Sequence, residues 1–569
     1  MRKRRIWIVW LTLLFAAFSF RLFLAVRLAN DAPDDGRVYA QLARNVLEQH
    51  VYSHETEAPY VPSLIRLPGY PLTLAAIYSG SGHTNNTAVR IVQAVVDSAT
   101  CGLVAWVSYC WMPDEERKRY AATASLALAA LCPFTAIYVA TILTEVPTSF
   151  FAVLACLTTT LAFNSSKASR WLWGLTGIVC GIAVLFRPDS GLFAAAIGIT
   201  MLLGVRRLDG ALAKAVTSPR TPKRRLISAA IFSIAFCVVL VPWTIRNERV
   251  FHAFQPLAPA HGEMPGEFVP RGYLQWLRTW IDEERYIGPV LWSVDTKPIE
   301  MESFPNKAFD SDAERDRVGA LIQKYNHPDQ EEEKSASEEE SADEDSDEES
   351  ANEDEATTQE NADQNVELTP QIDEQFAQIA RERIAHSRLR YYFVLPIKRA
   401  ISLWSDTHSQ YYPFEGELFP LEDLDYTIHQ EIWLPLFAGL TWIYTLLGGL
   451  GSWLLWRTRT FDARRWVILS LLIIVLRLGF FSTLENPEPR YVVELFPFLS
   501  VLGGIAIARP RSGRSASQST EWPALKRAYL NLHGQRGTTL ERESAKASVK
   551  LVPTAARSLD LVRPVKCAG

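Results

Sequence analysis

The chain has seven cysteines in 569 residues, and no two of them stand in a CxxC spacing. Cys101, Cys110, Cys132, Cys156, Cys180 and Cys237 fall within or at the ends of apolar runs, and Cys567 ends the tail. This excludes a zinc or redox motif of that spacing, leaves no pair for a disulfide in an outer loop, and reads the six as small buried hydrophobes. A glycine-rich phosphate loop and a Rossmann-like pattern are also missing, which argues against a nucleotide-sugar site. There is no basic stripe of the kind nucleic acid requires, so no nucleic-acid partner is expected. No repeat relates the two halves, as many transporters would show. His50, His54, His83, His252, His261 and His408 are scattered without ligand spacing. No metal cluster is therefore named, and a divalent ion is the one cofactor left open.

What the sequence does have is apolar residues gathered into runs. Residues 6–26, 225–242 and 466–482 are near the length that crosses a hydrocarbon core of roughly 30 Å. The mean hydropathy is close to zero only because polar segments dilute it. One of these, 329–367, carries 19 acidic residues and one lysine. It has almost nothing to bury, so a solvated, disordered insertion is expected there, and the rest of the chain is basic despite the net charge of −5.

The expected fold class is an all-α polytopic membrane protein with about ten spans. After the first (1–26) come 87–111, 120–140, 144–163, 171–187, 189–205, 225–245, 431–456, 466–483 and 491–508. MRKRR precedes a stretch longer than a signal-peptide core, so the first helix is read as retained. Basic clusters at the N-terminus, 115–120, 167–170, 206–225, 457–465 and 509–514 all fall on one side when every span is counted. The positive-inside rule then places both termini in the cytoplasm. Outside lie 27–86 and 246–430, the latter holding the acidic insertion. Spans two to seven occupy 87–245 and spans eight to ten 431–508, with a cytoplasmic tail over 509–569. Within the second outer region, 376–404 has helical spacing suited to the membrane surface.

Ionisable groups near spans are expensive, roughly 2.5–3.5 kcal/mol at a helix centre. Here Asp31, Asp34, Asp35, Glu145, Arg187, Arg246, Asn247 and Arg490 converge on the outer face. Arginines there run against the charge bias, and an anionic ligand such as a phosphate is a reason for them, since guanidinium binds phosphate through paired donors. Carboxylates facing it would supply general-base chemistry. The competing reading is that these acids and arginines pair with each other and tie loops together. Arg90 and Asp97, two turns apart, read as structural, with Asp97 bonding a neighbouring helix.

The segment DDGRVYAQLARNVLEQHVYS (34–53) followed by RLPGYPLTLAAIY (66–78) resembles the first outer loop of the GT-C glycosyltransferases. The similarity is to the bacterial branch related to dolichyl-phosphate-mannose protein mannosyltransferases and to the lipid A aminoarabinose transferase. The matching residues are Asp35 four before Tyr39, Leu42-Ala43-Arg44-Asn45, and Arg66-Leu67-Pro68-Gly69-Tyr70-Pro71. LTEVPTSFFAVLA, GIAVLFRPDS, VPWTIRNERVFHAF and ENPEPRYVVELFPFL continue the likeness in order to about residue 508. The acidic insertion and the tail depart from it.

The resemblance implies a polyprenyl-phosphate sugar as donor, attack from the opposite face of the anomeric carbon, and an acidic residue of the first outer loop at the active site. Carried onto this chain, that makes Asp35 the expected base with Asp34 second, and Glu145 a second acid or acceptor-positioning group. Arg187, Arg246 and Arg490 become the donor-phosphate candidates, with Arg66, Tyr70, Asn247 and Tyr491 lining the substrate. Pro68 to Pro71 read first as a turn that starts a helix. The acceptor stays open between lipid, glycan and protein, the membrane lipids are partners, and the expected place is the bacterial inner (plasma) membrane. A transporter or flippase of a lipid-linked saccharide is the alternative from another class, and a scaffold that recruits a basic partner through its acidic loop is a third.

Overall fold

The computed structural model describes residues 2–30, 34–82, 84–165, 169–203, 220–327, 366, 368–419, 427–458 and 460–509, with Asp34 described in backbone only. Asp31, most of the acidic insertion and the tail from 510 lie outside the described residues.

The shorter helices α2 (Asp34–Glu48) and α3 (Gly69–Ser81) follow the first long helix α1 (Arg2–Arg27). Then come α4 (Asn86–Trp111), α5 (Lys118–Ala130), the short α6 (Pro133–Ala136) with a 3-10 turn over Ile137–Ala140, α7 (Glu145–Asn164), α8 (Ser169–Phe186), α9 (Gly191–Leu203) and α10 (Arg220–Phe251). The region between α10 and the next long apolar helix holds α11 (Arg271–Leu277), α12 (Asp312–Asn326), α13 (Pro370–His386) and α14 (Leu395–Ser405), the last entered through a π-helical turn at Arg390–Val394. The chain returns through α15 (Ile428–Arg457), α16 (Phe461–Phe481), a 3-10 segment Pro489–Leu495 and α17 (Phe496–Ala508). No strand forms among the described residues; one isolated parallel bridge pairs Asn30 with Thr141.

The protein is an all-α polytopic membrane protein. Among the described residues seven helical segments are long and apolar enough to cross a membrane, and an eighth is counted if the 52° bend between α5 and the 133–140 segment lies within one span. All ten expected segments exist as helices, but two fall short as spans for identifiable reasons. α9 has only 13 residues. α16 has the length but carries Arg464, Arg465 and Arg477, so every 18-residue stretch of it holds at least three charges.

α17 is the inner column, buried along nearly all its length against α5 and α15. Its Gly504 meets Ser125 so closely that any Cβ would collide, the small-residue contact that lets membrane helices approach. A separate outer core forms around Trp276, Trp280, Tyr273 and Phe376, joining α11 to α13. Around the acidic tract, Asn326 exchanges hydrogen bonds with the backbone of Ile299, and Leu368 N–H donates to Asp295. Buried within the helices, Arg21 of α1 donates to Asp97 of α4 and to the carbonyls of Ala129 and Ala130, so Asp97 does bond a neighbouring helix.

Candidate active site

Asp35 sits in the first turn of α2, and three contacts place it. Backbone pairing of Asn30 with the 140–141 stretch holds the chain that leads into α2, Asn30 N–H donating to Ala140 O at 3.1 Å. That stretch is itself pinned by α4, where Gln93 donates to Thr141 O at 2.7 Å and Arg90 to Ala140 O at 3.0 Å. On the other side α3 starts at Gly69, whose ideal Cβ would lie 2.6 Å from the Leu185 carbonyl at the end of α8. A side chain there would push α3 off α8, which is why the turn carries glycine. Tyr70 is architectural, with its hydroxyl donating to Gln93 at 2.8 Å and its ring edge-on to Tyr39 at 5.2 Å.

The Asp35 carboxylate is held between two guanidiniums brought from distant sequence. Arg66 Nη2 lies 2.7 Å from Oδ1 and Arg490 Nη2 lies 3.3 Å from Oδ2. The side chain keeps 29% of its surface exposed, so it faces an opening and not the core. Burial pushes the Asp35 carboxyl upward, but Arg490 and Arg66 together outweigh it and hold it below its ordinary value. Burial and then the charge of Asp35 push the neighbouring Tyr39 phenol up to about 12. Arg490 is in turn shared with Glu488, its Nε 2.5 Å from Oε2, and Glu488 accepts from the Tyr491 hydroxyl at 2.6 Å.

A second cluster is sealed from water. Arg187 Nη1 lies 3.0 Å from Glu145 and 3.1 Å from Glu494, while its Nε lies 3.1 Å from Asp189. Arg477 closes the ring, 2.7 Å from Asp189 and 2.8 Å from Glu494, and donates to the Tyr491 carbonyl at 2.6 Å. Two cations thus serve three carboxylates. Oε2 of Glu145 is buried and makes no hydrogen bond. The Tyr491 ring stands between the clusters, with the Arg187 and Arg490 guanidiniums 5.5 Å and 5.3 Å from its centroid.

The structure thus gathers Asp35, Arg66, Arg490, Tyr491, Arg187 and Glu145. It does not bring Arg246 and Asn247 onto Asp35. Arg246 donates to Ser63 O at 2.8 Å and packs its guanidinium 4.9 Å from the Trp243 ring, and buried Asn247 donates to Gln255 O at 2.7 Å. Arg246 braces the loop between α2 and α3 against α10, and Asn247 ties down the chain just past the end of α10. The side chain of Asp34 lies outside the described residues. Sequence reasoning overlooked Glu488, Glu494, Asp189 and Arg477. A signal for the last was available: Arg477 interrupts the apolar run WVILSLLIIVLRLGFFS, where a charge needs a buried partner. Among the described residues no group of three or more His, Cys, Asp or Glu is arranged to hold a metal ion.

No curated protein matches the chain in sequence. Among solved structures the chain is similar to the oligosaccharyltransferase AglB from Archaeoglobus fulgidus, in complex with an inhibitory peptide and a dolichol-phosphate, at 12% identity and a TM-score of 0.43. That likeness covers 95% of this chain and 54% of the other, so the chain spans about half the length of the archaeal protein. It is also similar to ArnT from Cupriavidus metallidurans bound to undecaprenyl phosphate, at 14% identity and a TM-score of 0.34 over 88% of this chain and 78% of that one. The sequence resemblance holds for the stretch that carries Asp35, Arg66, Glu145, Arg187 and Arg246: residues 6–257 match the family of dolichyl-phosphate-mannose-protein mannosyltransferases.

Proposed function

We propose that the chain is a membrane glycosyltransferase that moves a hexosyl or pentosyl unit from a polyprenyl-phosphate carrier to an acceptor hydroxyl at the extracytoplasmic face. The observation that carries this reading is the half-exposed Asp35 carboxylate bracketed by Arg66 and Arg490. The family match over 6–257 supports the same chemistry.

The acceptor O–H gives its proton to Asp35 as its oxygen bonds to the anomeric carbon. The bond from that carbon to the phosphate oxygen breaks, and its electron pair leaves with the phosphate. Attack from the face opposite the leaving group inverts the configuration. Arg66 and Arg490 stabilise the charge that develops on the departing phosphate. The same two arginines hold Asp35 when no phosphate competes for them, which keeps the carboxylate a weak base. An incoming phosphate draws on their donors, so the basicity of Asp35 rises as the donor binds. Arg187 fixes Glu145 in the sealed cluster, where the buried Glu145 Oε2 remains as a second acid.

The test is Asp35→Asn in the full-length protein, purified with its carrier lipid. Transfer is expected to fall by ~10²–10⁴-fold, with the carrier still bound in native mass spectrometry. Undiminished transfer in that variant would sink the assignment. Retained carrier movement between leaflets with no transfer in the wild type would favour a flippase.

A further inference from the structure

Glu488 belongs to the open site, yet the transfer chemistry gives it no part. Its side chain is 1% exposed, against 29% for Asp35 on the other flank of Arg490. Arg490 Nε lies 2.5 Å from Glu488 Oε2, and its Nη2 reaches Glu488 Oε1 at 3.4 Å as well as Asp35 Oδ2 at 3.3 Å. The neighbours hold Glu488 still. Its Oε1 accepts from the Tyr491 hydroxyl at 2.6 Å and from the Asn486 amide at 3.4 Å, and Asn486 also donates to the Tyr491 hydroxyl at 3.0 Å. The Tyr491 ring stacks on Phe481 at the end of α16, with 4.6 Å between centroids. The Tyr491 backbone N–H closes the same turn on the Glu488 carbonyl at 3.1 Å.

The two carboxylates on Arg490 therefore differ in kind. An incoming phosphate can displace half-exposed Asp35, because water and ligand reach it. Displacing Glu488 would strand a buried charge, so Glu488 stays on the guanidinium while the phosphate binds. The reaction also changes the charge that Arg490 must release. A sugar-loaded carrier phosphate is a diester with one negative charge. Transfer leaves a monoester, whose second ionisation near pH 6 gives it roughly −1.5 to −2 at neutral pH. Two arginines with no buried counter-charge would hold this product more tightly than the donor. A fixed carboxylate on one of them weakens the grip on the more highly charged species most, since repulsion scales with the product of the charges.

Resting on the glycosyltransferase reading, we propose that Glu488 is a positioning residue that acts through Arg490. It fixes the guanidinium toward Asp35 and lowers its affinity for the spent polyprenyl phosphate, so that the product leaves.

The test measures binding of a polyprenyl phosphate and of the matching polyprenol to the full-length protein in nanodiscs. Wild type, Glu488→Gln, Arg490→Gln and the double variant are compared. Glutamine keeps an oxygen for the Tyr491 hydroxyl and removes the charge, and an unchanged thermal midpoint checks the fold. Glu488→Gln is expected to bind the phosphate about tenfold more tightly, which is ~1.4 kcal/mol, with polyprenol affinity unchanged. The double variant should bind it no more tightly than Arg490→Gln, because the effect runs through that guanidinium. A purely structural Glu488 gives the opposite sign, since Arg490 then loses its anchor. Weaker or unchanged phosphate binding in Glu488→Gln therefore overturns the proposal, and tightening that survives the loss of Arg490 overturns the route. Should Glu488→Gln fail to insert, Glu488→Asp draws the carboxylate back by one methylene and should tighten binding in the same direction; any other result there overturns the proposal. A wild type that does not prefer the phosphate over the alcohol overturns the carrier reading itself.

Discussion

The two charge clusters are built from the same residue types yet face different environments. Around Arg187 and Arg477 the side chains are at most 10% exposed, and each guanidinium is taken up by carboxylates. Around Asp35 the side chains of Asp35, Arg66 and Arg490 keep 29%, 30% and 15% of their surface. A sealed ion-pair ring is hard to open, because freeing one member strands another away from water. A half-open triad can exchange a carboxylate for an incoming phosphate, since water and ligand reach it. The comparison teaches that arginine and acid content alone does not separate a lock from a site; exposure does.

The comparison breaks most visibly at Arg477. Arg477→Leu strips Glu494 and Asp189 of a partner where neither is solvated, and the expected loss is about 3–5 kcal/mol. A fall in the thermal midpoint, or failure to insert, measures it. Asp35→Asn in the open triad should leave that midpoint nearly unmoved while transfer collapses. Equal destabilisation by both substitutions would erase the distinction between the clusters.

Arg490→Gln sharpens it. The Asp35 ion pairs stabilise the folded state above the unfolded carboxyl value and are lost as pH falls through the lower folded value. Removing Arg490 raises the folded value, so the acidic limb of the pH–rate profile should move toward neutral pH. Carrier affinity should fall roughly 10–100-fold as a charge-assisted bond is lost.

The smallest effect is expected at Asp406, just past the end of α14. Burial pushes its carboxyl up to about 7 against its His408 N–H bond, with Glu417 adding negative charge. A raised acid stabilises the fold fully below its unfolded value, and this is lost as pH rises through about 7. Amide protection over 406–416, after correction for intrinsic exchange, should therefore fall as pH rises from about 4 to about 7 and level off above that, and Asp406→Asn should flatten the trend.

Much of the site was legible because family motifs and topology both pointed at it. Asp35, Arg66 and Arg490 were each singled out from sequence, and the structure adds that the three touch. Arg187 and Arg246 were also singled out for the phosphate, but the first is enclosed by carboxylates and the second by carbonyls and aromatic rings. Asp189 of RPDS is a local partner of Arg187, but the other contacts that settle these fates are not local. They depend on Glu494, 307 residues away, and on the Ser63 carbonyl, 183 away.

By itself the sequence determined that this chain enters a membrane many times and gathers its costly charges at one end of the spans, because apolar run length and charge placement are local properties that transfer energies read directly. Only the tertiary structure decided which charges neutralise one another and which stay open, because exposure and the pairing of distant side chains emerge from packing.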